Sequence, residues 1–134
     1  MIIDVFTHVY PKSYLSALPA SARDRGLEAY LDYVPAFTDA ASRIQAMDRQ
    51  GIQFQVLTLG YPPALENLND ATAIQIARLA NDGIAEFVQA FPDRFIGAAT
   101  LPLNTPAEAL AELKRCQRVL ADNARALFGV ARPC

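Results

Sequence analysis

Three short apolar runs alternate with three longer stretches whose apolar residues recur every three or four positions. The first run, IIDVFTH, is rich in Ile and Val and predicts a buried strand over residues 2–8. Asp4, Phe6 and His8 stand at every second position, so a regular strand turns all three to one face. Pro11 and Pro19 bracket a short mixed piece. Residues 21–35 mix charges with Leu27, Tyr30, Leu31 and Tyr33, which fits either an irregular excursion or a short helix. Thr38 then offers an N-cap, Ala40, Ile44 and Met47 follow at helical spacing, and Gly51 sits where a left-handed C-terminal residue belongs.

IQFQVLTL predicts a second strand over 52–59, and GYPPALENLN is loop material. From Asp70 to Phe91 the stripe Ala73, Ala77, Ala80, Ile84, Phe87, Phe91 predicts a long helix. FIGAATL predicts a third strand over 95–101, ended by Pro102. Thr105, Pro106 and Glu108 read as N-cap, first-turn proline and capping-box glutamate of a further helix, with a core face of Ala109, Leu113, Cys116 and Leu120. ALFGVA, 126–131, offers a fourth strand. Repeated strand–helix units imply a parallel sheet, either a small open one or part of a β/α barrel.

Composition narrows the picture. The 134 residues are one domain's worth, 52% hydrophobic and 19% charged, enough for a core and unlike a disordered chain. The net charge of -2 argues against a nucleic-acid or anionic-lipid surface. Lys114, Arg115 and Arg118 read as cations late in a helix, where they favour its dipole. Cys116 and Cys134 form no zinc or disulfide pattern, so a reduced cytoplasmic setting is expected. The first residues lack the basic start of a signal peptide, and no apolar run reaches the ~20 residues that span a bilayer.

In a parallel α/β fold, sites form at the C-terminal ends of the strands. This selects His8, the loop beginning Gly60-Tyr61, Thr100 and the end of the sequence. His8 is the only histidine. A lone histidine is more often structural than a ligand, and its place at a strand end raises the ligand reading. Tyr61 and Thr100 are candidate substrate contacts, set against the ordinary readings of a loop tyrosine ordering Pro62-Pro63 and a strand-end residue capping backbone groups. Asn81 and Asp82, mid-helix, are expected to make local hydrogen bonds or a packing contact. No GxGxxG or Walker A pattern supports a nucleotide site.

IIDVFTHVYPKSYL resembles the opening of the amidohydrolase superfamily, whose first strand ends Asp-x-His-x-His. RIQAMDRQGIQFQVLTL is similar to the Met-Asp-x-x-Gly-Ile segment of the branch containing aminocarboxymuconate-semialdehyde decarboxylase. ARLANDGIAEFVQAFPDRFIGAATLPL is similar to that branch's Asn-Asp helix, Phe-Pro-Asp-Arg turn and third strand. The likeness continues through PAEALAELKRC, and ADNARALFGVARPC matches only loosely.

The resemblance implies a (β/α)8 barrel of roughly 250 residues or more. Residues 1–134 are then a single domain, the N-terminal part of that barrel, with about four parallel strands and alternating helices. It also implies a mononuclear centre of zinc or another divalent metal. Its ligands are the two first-strand histidines, later histidines and an aspartate after the eighth strand, and the metal activates a water or polarises the substrate. The implied reaction is decarboxylation or hydrolysis of small carboxylated, aromatic or muconate-like molecules.

This sequence departs from the pattern at Phe6, which stands where the first histidine belongs and has no lone pair for a metal. The later ligands fall outside the 134 residues, so His8 alone maps onto the ligand set. The expectation is a chain that does not turn over substrate alone and leaves open whether it binds metal. A half barrel with unpaired edge strands is expected to self-associate or to pair with a complementing C-terminal half-barrel chain. The competing expectation is a non-catalytic, truncated or degenerate homologue serving as a binding or assembly module.

Overall fold

The strands Ile3–Val9 (β1), Phe54–Leu59 (β2) and Phe95–Gly97 (β3) form one parallel sheet in the order β1-β2-β3. This computed structural model describes residues 1–23, 25–60 and 65–120, together with the backbone but not the side chains of a few residues within them. Three strands are therefore described where about four are expected. The fourth, at 126–131, lies outside the described residues, as do Tyr61, Pro62, Pro63 and Cys134.

Leu57 and Leu59 of β2 alternate with Phe54, Val56 and Thr58, and only the first set is buried. That buried face meets Ile76, Ala77, Ala80, Ile84 and Val88 of the helix Asp70–Ala90 (α4), all within 1% of full burial. Small side chains along the α4 stripe let the helix lie close to the sheet. The stripe expected from Ala73 to Phe87 is buried as the spacing predicts, and Phe91 is only half-buried.

The chain between β1 and β2 folds into three helices, Lys12–Ala17 (α1), Arg25–Tyr33 (α2) and Ala40–Gln50 (α3). Of the two readings of 21–35, the helix is the one found. The N-cap of α3 is Asp39 rather than Thr38: the Ser42 amide donates to the Asp39 carboxylate, while the Thr38 hydroxyl turns back to the Pro35 carbonyl. That amide bond holds the Asp39 carboxyl below its ordinary range. Gly51 closes α3 at φ 67°, the left-handed conformation expected there. The exit from that cap uses the Ile52 amide on the Met47 carbonyl, so β2 starts at Phe54 and not at residue 52.

β3 ends at Gly97, four residues before the expected boundary, and the cause is a side chain. The Ala98 amide still reaches the Leu57 carbonyl. Beyond it, both backbone groups of Thr100 are taken by Asn81 of α4, whose amide donates to the Thr100 carbonyl (2.9 Å) and accepts from the Thr100 amide (2.8 Å). Asn81 thus replaces the ladder and draws the chain off the sheet.

The helix Pro106–Val119 (α5) starts with Thr105 and Pro106 where expected, but without the capping bond. Glu108 pairs with Arg78 instead, and the Thr105 hydroxyl is buried without a partner. Its core face is also rotated from the expected one: Leu113 is 40% exposed and Glu112 is 2% exposed.

Gly83 marks the tightest helix approach. A Cβ there stands 2.2 Å from Cβ of Pro11, which is itself fully buried. Gly83→Ala is therefore expected to push α1 off α4 and cost about 1–3 kcal/mol, despite alanine's better helix propensity. Urea unfolding of the two proteins measures it, and an unchanged midpoint excludes this packing.

Candidate metal-ligand site at the strand ends

His8 lies near the end of β1, opposite Thr58 of β2, on the face turned away from the helices. Its Nδ1 is 2.8 Å from the Thr58 hydroxyl oxygen. That hydroxyl lies 2.7 Å from the Thr7 carbonyl, which can only accept. Thr58 has one hydrogen and gives it to Thr7, so it accepts from His8 Nδ1–H. The neutral imidazole then carries its lone pair on Nε2, the tautomer a metal ligand needs.

Phe6 sits beside it, 80% exposed, its ring edge-on to the imidazole with centroids 5.0 Å apart. Asp4 does not join them. Asp4 pairs with Gln55 and Thr7 pairs with Leu57, so Val5 and Phe6 together stand opposite Val56 alone. This extra residue is a β-bulge, and it reverses the alternation of faces. The expectation of one face bearing Asp4, Phe6 and His8 is corrected to His8 and Phe6 on one side and Asp4 on the other.

On the helix side, Asp4 Oδ2 accepts from Gln55 Nε2 at 3.2 Å, and Gln55 Oε1 accepts from Arg43 Nε at 2.7 Å. Arg43 of α3 also donates to the carbonyls of His8 (2.8 Å) and Ala36 (3.1 Å). Burial lowers the Arg43 guanidinium to about 10, against the opposing charge of Asp4, and leaves it protonated at neutral pH. The sequence carried one signal for this cluster. Gln55 is a polar residue at the same parity as Leu57 and Leu59, and a buried amide demands partners.

Thr100 stands at the strand-end level of β3 with its backbone held by Asn81. Of the two readings of Asn81, local hydrogen bonds or a packing contact, the first is not found: its bonds are long-range and make it the hub of a second, buried cluster. Its amide also donates to Glu112 Oε1 at 2.7 Å, and Arg115 closes on Glu112 and Asp82. Arg115 is thus bound into this cluster rather than merely favouring the α5 dipole. Cys116, packed against Glu112, has its thiol pushed up to about 12 by burial first and then by that carboxylate, so it stays neutral.

A cavity of about 630 Å³ opens between α1 and α2, with Tyr10, Tyr14, Leu18, Leu27 and Leu31 among its walls. It has the volume of a small-molecule site, but neither His8 nor Thr100 lines it. Among the described residues no group of three or more His, Cys, Asp or Glu side chains could hold a metal. The donor at His8 Nε2 suits a divalent metal, Phe6 offers none, and Asp4 points the other way. One donor falls short of the about three protein ligands of a catalytic centre, so the described residues do not by themselves fit the group. No helix among the described residues is long and apolar enough to cross a membrane.

A family model described as Amidohydrolase matches residues 3–118. γ-Resorcylate decarboxylase of Rhizobium radiobacter is 43% identical over 75 residues, which cover 56% of this chain and 23% of that protein. 2-Amino-3-carboxymuconate-6-semialdehyde decarboxylase of Dictyostelium discoideum is 34% identical over 83 residues, 58% of this chain and 22% of that protein. Among solved structures, 2,6-dihydroxybenzoate decarboxylase from Rhizobium matches with a TM-score of 0.67 and 32% identity, covering 87% of this chain and 35% of that one. 5-Carboxyvanillate decarboxylase from Novosphingobium aromaticivorans, complexed with manganese, matches with a TM-score of 0.68 and 26% identity over 90% of this chain and 39% of that one. The chain thus spans less than a quarter of the length of the curated relatives it matches, and its α/β architecture is that of part of their barrel.

Proposed function

The chain belongs to the amidohydrolase family, and from that premise we propose that it is the N-terminal barrel segment of a metal-dependent decarboxylase of hydroxylated aromatic carboxylates. In this reading His8 offers Nε2 to zinc or another divalent metal, and the other donors come from outside residues 1–134. Further barrel sequence, a complementing half-barrel chain or a second copy would each supply them. A divalent metal held there, with His8 as one of its donors, would supply Lewis-acid chemistry toward the substrate or a water. What the residues in hand contribute is a donor of fixed tautomer and, at the end of β3, a loop held at Thr100. Tyr61 and Thr100 remain the candidate substrate contacts.

The observation that carries the reading is the hydrogen-bond chain His8–Thr58–Thr7, which leaves Nε2 unprotonated at the strand end. The decarboxylases matched above supply the substrate class, and manganese in the Novosphingobium structure supports a divalent metal.

Equilibrium dialysis against zinc, with a parallel assay of CO2 release from 2,6-dihydroxybenzoate, tests it. The chain alone is expected to bind zinc weakly, to lose that binding in His8→Ala, and to release no CO2. Phe6→His is expected to tighten zinc binding by about tenfold or more, a gain of at least ~1.4 kcal/mol, without conferring turnover. Wild-type zinc binding by His8→Ala removes His8 as the donor. Zinc-dependent turnover by Phe6→His alone refutes the missing-donor reading.

A further inference from the structure

We propose that Asp4 and Arg43 are positioning residues for His8: they clamp the bulge at Val5–Phe6 from both ends and so set the face and the tautomer of the imidazole. The inference rests on the reading of His8 as the donor at the strand end, and deepens it.

The geometry forms a closed circuit. Asp4 Oδ1 accepts from the Phe6 amide at 3.2 Å, which holds the start of the bulge. Asp4 Oδ2 is joined through Gln55 to Arg43 Nε, and Arg43 Nη1 ends on the carbonyl of His8 itself. The path therefore leaves β1 two residues before Phe6 and returns to it two residues after. Arg43 on α3 thus holds His8 directly and Asp4 through Gln55, with three residues between them.

That spacing is what makes the clamp matter. In an unbroken strand, residues 4 and 8 share a face. Here Asp4 is held on the helix side, so the three residues between must contain one extra step, and His8 emerges on the opposite side against Thr58. If the clamp opens, the bulge can straighten. Straightening slides His8 by one position relative to β2, and its Nδ1 loses the Thr58 hydroxyl.

Arg43 is 7% exposed. A buried guanidinium carries a desolvation cost that an apolar side chain packed beside Met47 does not. What it adds is direction. Its planar fork meets Gln55 Oε1 and the carbonyls of His8 and Ala36 at once, which the single head of lysine cannot do. The Asp4 carboxylate is equally specific. It accepts at both oxygens, and an asparagine in its place presents a donor to one of two donors.

His8 is the only histidine, so its ring ¹⁵N–¹H spectrum reads this site without assignment. The measurement is made on the metal-free chain at a pH that keeps the ring neutral. Wild type is expected to show the Nδ1–H tautomer alone, with slow exchange of that proton. Asp4→Asn and Arg43→Lys are each expected to lose that state and show a mixture of both tautomers in fast exchange with water. Thr58→Val gives the spectrum of a ring without its acceptor. Glu112→Ala, destabilised in the cluster between α4 and α5, is expected to keep the wild-type spectrum, which separates positioning from general loss of stability.

A wild-type His8 spectrum in folded Asp4→Asn overturns the proposal. So does a mixed spectrum in Glu112→Ala. Zinc binding is read separately, so an unchanged zinc affinity in His8→Ala refutes the donor reading while the tautomer shifts still decide the positioning role.

Discussion

Leu57→Asp is expected to abolish the cooperative thermal transition of this domain. Leu57 is fully buried in the central strand, paired with Thr7 on one side and Gly97 on the other. Its side chain enters the layer formed with α4, and the nearby Arg43 guanidinium is already bonded to Gln55 and to the His8 and Ala36 carbonyls. A carboxylate at that point is either a charge without a partner or a protonated acid without an acceptor, a penalty of roughly 4 kcal/mol or more added to the lost apolar burial. A domain of this size has only about 5–15 kcal/mol in total. Leu57→Ala grades the same effect, with an expected loss of about 2–5 kcal/mol. Circular dichroism melts of the three proteins check the order, and a Leu57→Asp transition within a few degrees of wild type excludes a central β2.

The second large effect is expected at Glu112. Burial raises the pKa of its carboxyl, but hydrogen bonds from Arg115, Asn81 and Cys116 more than offset this and hold it at about 2, below its ordinary 4.5. Glu112→Ala removes the acceptor shared by Asn81 and Arg115, leaves donors unmatched in a buried site, and opens a void beside Cys116. The expected loss is about 3 kcal/mol. Because Asn81 also holds Thr100, amide exchange in residues 98–104 is expected to rise more than in β1.

The pH dependence follows from the direction of the shift. A carboxyl with a depressed folded pKa binds fewer protons folded than unfolded, so its stabilisation is full above about 4.5 and fades as pH falls towards about 2. Wild type is therefore expected to lose up to about 3 kcal/mol across that window through Glu112 alone. Glu112→Gln loses this contribution, and a slope equal to wild type between those pH values excludes Glu112 as its source.

The order of strands and helices was readable because each element has a single dominant period. The Ala73–Phe87 stripe and the IQFQVLTL alternation are of that kind, and Gly51 marks its boundary by a conformation other residues avoid. What was not readable depends on partners far along the chain. Nothing local to FIGAATL shows that Asn81 will take the backbone of Thr100 and cut β3 short. The rotated face of α5 has the same origin: Leu113 fits the apolar spacing, yet Glu112 is buried because Asn81 and Arg115 wait for it. At the site, His8 was identified by its place at a strand end. Its relation to Asp4 is not legible in the sequence, because a bulge changes parity without changing composition. Thr58, which fixes the tautomer, looked like any strand threonine.

The bulge clamp has one more effect, on how β1 can be approached. The Val9 carbonyl faces β2, where it accepts from Gly60, so the neighbouring groups of residues 8 and 10 face the opposite, outer edge. There the His8 carbonyl is occupied by Arg43 and the Tyr10 amide by the Phe37 carbonyl. A foreign strand meeting this edge finds its last hydrogen-bonding groups already taken and can template only on the lower half, about Ile3 to Phe6. Arg43 therefore covers a backbone acceptor on this edge as well as bracing the strand. Its loss frees a backbone acceptor beside two exposed apolar side chains, Val5 and Phe6.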